Sequence, residues 1–232
     1  MLNEAPLAVL TGSSSGIGLA VAQRLLDQGW RVTGLDLAPA VVAHPGFRAQ
    51  PVDLSDGAAA EAAAGGLGPV QALVHAAGVL RVGRLGASSA ADAQLMWQLH
   101  VAAASALAGV LVPAMAQAGQ GRVVLIGSRV AQGKAGRGQY AASKAALISL
   151  ARSWAAEFVA QGVTVNVVSP AATATPMLAD PSRAASSPVL PPIGRLIQPA
   201  EVAALVAFLL GPEAAAITGQ DIPICGGSSL PL

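Results

Sequence analysis

Short apolar runs alternate with longer stretches of helical periodicity along the whole chain, and no other feature restricts the fold as much. Runs at Leu7–Leu10, Arg31–Leu35, Phe47–Val52, Val70–Val74, Arg122–Ile126, Val163–Val168 and Asp221–Cys225 predict seven strands. Between them, Gly18–Gln28, an Ala-rich stretch after Ser55, Ala91–Ala118, Gln139–Ala160 and Pro199–Leu210 predict helices. Leu19, Ala22, Leu25 and Leu26 share one face of the first helix, and Gly29 closes it. Ser55 is placed to cap the Ala-rich helix, and Pro199 suits a first helical turn. Strands four to six are almost wholly apolar, as strands covered on both faces must be. The expected fold is α/β, a doubly wound sheet of about seven parallel strands with helices on both faces. No linker or repeat interrupts the pattern, so residues 1–232 are expected to form one domain. Pro and Ser cluster between Pro170 and Pro199, and 177–198 is the expected lid over a substrate.

Composition narrows the function classes. Hydrophobic residues make up 53% of the chain, charged residues only 11%, and the formal net charge is +1. Disorder needs the reverse balance. A near-neutral chain also gives no electrostatic case for nucleic acid or an anionic membrane surface. The single cysteine, Cys225, excludes an internal disulfide and a thiolate metal cluster, and is expected to be a buried small hydrophobe. Residues 1–4 carry no basic start or long apolar run of an export signal, so a cytoplasmic location is expected. Between Asp92 and Arg122 no charged residue occurs, which is long enough for a membrane span. The glutamines, His100 and Pro113 within it favour a helix buried in the protein or between subunits.

After the first strand comes Thr11-Gly12-Ser13-Ser14-Ser15-Gly16-Ile17-Gly18, then a helix. Glycines at a strand-to-helix turn allow close backbone approach, and the helix N-terminus offers free N–H groups to a pyrophosphate. Asp36 ends the second strand, where an acid meets adenosine ribose hydroxyls. The same carboxylate repels a 2′-phosphate, and Ser15 offers no cation to hold one. Both points select NAD over NADP.

Tyr140 and Lys144 stand at i and i+4, on one face of a helix. Tyr140 is the only tyrosine of the chain. A free phenol is a poor base at neutral pH, and a neighbouring ammonium stabilises its anion. Ser128 follows the fifth strand at its C-terminal end, where doubly wound sheets bind ligands. Its hydroxyl can hold a substrate oxygen beside the phenol.

With Thr11–Gly18, His75–Gly78, Ser128, Tyr140–Lys144, Ser169-Pro170 and Gly226-Gly227, the chain resembles the short-chain dehydrogenase/reductase family over essentially its whole length. The resemblance implies a Rossmann-type fold, a homotetramer, and hydride transfer between substrate and nicotinamide. It implies Ser128, Tyr140 and Lys144 as catalytic. It implies cofactor contacts from Gly12, Ser14, Ser15, Gly16, Ile17, Gly18, Asp36, Asp53, Ala76, Ala77, Gly78, Tyr140, Lys144, Pro170, Thr173 and Thr175. The chain departs from the family at His75 and His100, where asparagines are usual, at Ala171 for a glycine, and at Cys225 for an acid.

Arg31–Asp36, Ala72–Gly83, Val167–Pro170 and Ile217–Ile222 are similar to the 2,3-dihydro-2,3-dihydroxybenzoate dehydrogenases of siderophore biosynthesis. That implies oxidation of a small cyclohexadiene diol carboxylic acid. A carboxylate needs a cation near Ser128 and Tyr140, and Arg81 and Lys134 are the expected substrate ligands. Arg129 and Arg137 are expected to be solvated loop charges. A general alcohol dehydrogenase, a ketoacyl reductase, and a non-catalytic NAD-binding protein are the alternatives.

Overall fold

A computed structural model describes residues 5–180 and 189–230. Seven strands form one sheet in the order β3-β2-β1-β4-β5-β6-β7, every pair parallel. They are β1 (Leu7–Thr11), β2 (Arg31–Asp36), β3 (Phe47–Pro51), β4 (Ala72–His75), β5 (Gly121–Ile126), β6 (Val163–Pro170) and β7 (Asp221–Ile224). The order reverses between β1 and β4, so the crevice beyond their C-terminal ends is the topological switch point.

Side-chain alternation divides the core into two layers. On one face, Val9, Leu73, Val123, Leu125, Val165 and Val167 pack under α2 (Gly57–Gly65), α4 (Ala103–Gln117) and α5 (Gly138–Phe158). On the other, Ala8, Leu10, Val74, Val124, Ile126 and Val168 meet α1 (Gly16–Asp27) and α6 (Pro199–Leu210). Every residue of β4, β5 and β6 is buried, which accounts for their largely apolar sequence; the polar exceptions His75, Arg122, Thr164, Asn166 and Ser169 are buried too. β3 lies at an edge with three of its five residues exposed, consistent with its weaker pattern.

Three expectations are corrected. Asp56, not Ser55, caps α2, its Oδ1 accepting from the amides of Ala58 and Ala59 at 2.9 and 3.2 Å. Ser55 instead donates to Asp53 Oδ1 through both Oγ and N, at 2.7 and 2.9 Å. The long helix is not continuous α: α3 (Ala90–Trp97) passes through a π turn at Gln98–Ala102 before α4. Cys225 is only half-buried. The helical run 90–117, charged only at Asp92, is long and apolar enough to cross a membrane, and half of its most apolar window is buried inside the protein. The expected lid lies partly outside the described residues, at 181–188; before the gap, Pro176–Ala179 forms a 3-10 turn.

Candidate active site

One cleft of about 780 Å³ opens along the C-terminal ends of β1, β2, β4, β5 and β6. That is within the size range of small-molecule and cofactor sites. Gly12, Ser15, Gly16, Ile17, Gly18, Asp36, Asp53, Ala76, Ala77, Gly78, Ser128, Lys134, Tyr140, Lys144, Pro170, Thr173 and Thr175 all border it. The structure thus gathers every expected site residue in one place except Ser14 and Arg81.

The glycine loop is built for close approach. A side chain at Gly18 would put its Cβ 2.0 Å from the Gly12 carbonyl oxygen, so no other residue fits there. Gly12 has φ +69° and packs against the backbone of Ala76 and Ala77. The N-terminus of α1 therefore faces the cleft with its first amide groups free of side-chain caps, as an anion site requires. Ser14 does not border the cleft. Its amide donates to Asp36 Oδ2 at 2.9 Å and its hydroxyl to the carbonyl of Ala38 at 3.2 Å. It serves to place Asp36, whose Oδ1 accepts from the amide of Ala38 at 3.0 Å. Asp53 borders the same end, its pKa lowered by the Ser55 hydroxyl and then by the Ser55 amide.

At the other end, Ser128 leaves β5 and caps the 3-10 turn Arg129–Gln132, accepting from the amide of Val130 at 3.2 Å. Tyr140 and Lys144 lie on the first turns of α5, both buried. Lys144 Nζ donates to the carbonyl oxygen of Ile126 at 2.8 Å and lies 5.9 Å from the centre of the Tyr140 ring. Burial pushes Lys144 down to about 7. Leu80 and Met96 pack with Tyr140, and Leu80 also borders the cleft there.

Two buried histidines connect the strands to the helices. His75 Nε2 is 3.0 Å from the carbonyl of Leu99, which can only accept, so that nitrogen carries the proton. His75 Nδ1 then accepts from Thr11 Oγ1 at 3.0 Å, while that hydroxyl accepts from the amides of Ala76 and Ala77. His100 has the opposite tautomer. Its Nε2 accepts from the amide of Val79 at 3.1 Å, so Nδ1 donates to Ser143 Oγ at 2.8 Å. Burial first, and the Lys144 cation second, hold His75 down at about 3 and His100 well below its ordinary value. Both are neutral at physiological pH.

The expected substrate cations fare differently. Lys134 borders the cleft. Arg81 does not, and pairs with Asp180 at 3.3 Å and Asp92 at 3.6 Å. Arg129 and Arg137, expected as solvated loop charges, both border the cleft, and Arg137 is buried. Sequence reasoning also missed the Ile126 carbonyl, because a backbone acceptor leaves no mark in residue type.

The comparisons with known proteins agree with this geometry. A family profile described as enoyl-(acyl carrier protein) reductase matches residues 12–229. The chain is 34% identical to the 3-oxoacyl-(acyl-carrier-protein) reductase of Vibrio cholerae, with 97% of each chain covered. It is 34% identical to the 2,3-dihydroxy-2,3-dihydro-p-cumate dehydrogenase of Pseudomonas putida, covering 98% of this chain and 95% of that one. A solved short-chain dehydrogenase/reductase family protein superposes with a TM-score of 0.89 at 34% identity, with 98% of each chain covered. A variant of actinorhodin polyketide ketoreductase with NADPH does so at 0.86 and 27% identity, with 96% of each chain covered. The fold and cleft define a nicotinamide-dependent oxidoreductase. The chain belongs to the short-chain dehydrogenase/reductase family.

Proposed function

We propose that the chain interconverts a secondary alcohol and a ketone with NAD(H), using Tyr140 as general acid–base. The observation that carries this is the placement of Ser128, Tyr140 and Lys144 at one end of a cleft whose other end holds Gly18 and Asp36. In the oxidative direction Ser128 Oγ and the phenol hold the substrate hydroxyl. The Tyr140 phenolate takes the hydroxyl proton, stabilised by the Lys144 ammonium beside it. Bound nicotinamide supplies the hydride acceptor, or the donor in reverse. The apolar side of the cleft at Leu80 and Val130 keeps water from the reacting carbon.

Asp36 supports NAD. A 2′-phosphate beside its carboxylate would meet repulsion of about 4 kcal/mol at an effective dielectric of ~20. The NADPH in the ketoreductase structure supports the phosphorylated cofactor instead. The proposal of NAD rests on the support of Asp36, with Ser15 at the loop.

For the substrate, relatives named as 3-oxoacyl reductases support a ketoacyl-type ketone over the cyclohexadiene diol acid. The pairing of Arg81 outside the cleft weakens the diol acid further. That second reading keeps the support of the dihydro-p-cumate dehydrogenase and of Lys134 at the cleft. A homotetramer belongs to the same proposal, with Trp97 and Phe208 exposed and available for subunit contact. Initial rates with short 3-ketoesters, a 3-oxoacyl thioester and a cyclic diol acid, each with both cofactors, test the proposal. It requires turnover of at least one ketone or alcohol and a preference for the unphosphorylated cofactor. No turnover across the panel, with cofactor binding intact, would support the non-catalytic alternative.

A further inference from the structure

His100 sits where three elements of the site meet, and nothing in the proton transfer itself uses it. Its side chain is fully buried. The π turn Gln98–Ala102 presents it, and such a turn inserts an extra residue into an otherwise α-helical run. The ring then makes three directed contacts. Nε2 accepts from the amide of Val79, which follows the Ala76–Gly78 floor of the cleft. Nδ1 donates to Ser143 Oγ, and Ser143 Oγ donates onward to the Tyr140 carbonyl at 2.9 Å. The ring also meets the Tyr140 ring edge to face, with centroids 5.5 Å apart and planes at 88°. The floor is shaped to admit it, since a Cβ at Gly78 would lie 2.7 Å from His100 Nε2.

We infer that His100 is a positioning residue that fixes the Tyr140 ring against Lys144 and the Gly78–Val79 floor, through its ring edge and its chain of hydrogen bonds to Ser143 and the Tyr140 backbone. This rests on the assignment of Tyr140 as acid–base. A neutral imidazole suits the task. It offers one acceptor and one donor on opposite edges, and it adds no second cation beside the Lys144 ammonium. A phenyl ring keeps the shape and loses both bonds. An asparagine keeps an acceptor and a donor and loses the ring.

Tyr140 is the only tyrosine in the chain, so ultraviolet titration of phenolate absorbance reads this one side chain directly. The experiment compares wild type, His100→Phe, His100→Asn and Ser143→Ala by that titration, by kcat and KM, and by NADH binding. Ser143→Ala cuts the link to the Tyr140 carbonyl and leaves the ring in place, so the test survives if His100→Phe does not fold. The expected result for His100→Phe is a rise of about one unit in the tyrosine midpoint. Its kcat is expected to fall by about 10- to 100-fold with KM for NADH unchanged. Ser143→Ala moves both readouts in the same direction by less, and His100→Asn restores kcat above His100→Phe. A tyrosine midpoint and kcat unchanged in both His100→Phe and Ser143→Ala would overturn the inference. If wild type turns over no substrate, the acid–base assignment fails while the tyrosine titration still decides whether His100 positions the ring.

Discussion

Lys144 Nζ donates to the carbonyl oxygen of Ile126 at 2.8 Å, which fixes the ammonium 5.9 Å from the centre of the Tyr140 ring. The strand end thus sets the position of a charge on the helix. Burial pushes this lysine down from 10.5 to about 7. Between those values the unfolded chain binds more protons than the folded one, so stability rises with pH. The contribution is full above the unfolded value and is lost as pH falls through the folded one. The Tm of the empty protein should therefore climb from about pH 7 toward about pH 10. Lys144→Met should flatten that slope and raise Tm at neutral pH. An identical slope in the variant would show that Lys144 is not the titrating group.

His75 gives a second pH signature on the acid side. It is held at about 3 in the fold by burial and then by the Lys144 cation. An unfolded histidine titrates near 6.5, so stability present above ~6.5 drains away as pH falls toward ~3. Denaturant midpoints between about pH 7 and about pH 4 should drop for wild type. They should drop less for His75→Asn, starting from a lower value because the Thr11 and Leu99 contacts are disturbed.

Asp36 should govern cofactor choice. Removing its carboxylate in Asp36→Ala relieves repulsion toward a 2′-phosphate and leaves the ribose hydroxyls of NAD without their acceptor. The ratio of kcat/KM for NADP to that for NAD should rise by at least about tenfold. An unchanged ratio would place the adenosine ribose away from Asp36.

Arg81→Ala separates two roles for one cation. Arg81 bridges Asp92 and Asp180, both partly exposed, and such pairs are individually weak, about 0–1 kcal/mol. The substitution should raise KM only a few-fold, and equally for substrates with and without a carboxylate. Lys134→Ala, at the cleft, should by contrast discriminate against carboxylate substrates. A carboxylate-selective loss in Arg81→Ala would return Arg81 to the substrate site.

Much of the fold was legible because its signals are local. β4, β5 and β6 are buried along their whole length, so their sequence is predominantly apolar. The loop from Gly12 to Gly18 announces itself because only glycine permits the contact of Gly18 with the Gly12 carbonyl. Tyr140 and Lys144 were visible through helical spacing taken together with the glycine loop, Asp36 and the strand-end Ser128. The remainder depended on contacts distant in sequence. The Arg81 partner Asp180 lies 99 residues away, and His100 finds Ser143 at a separation of 43. The π turn was hidden because Ala and Val on every side of helix 90–117 leave no sharp apolar stripe whose shift would betray an inserted residue.

Turnover depends on the proton carried by Tyr140. The measurement that tests it most directly is the initial rate of NADH-dependent ketone reduction by Tyr140→Phe, with Tm and NADH affinity measured on the same sample. The expected result is a rate lowered by about 10²–10⁴-fold with affinity and Tm retained. A rate within about threefold of wild type in that folded, NADH-binding variant would contradict it.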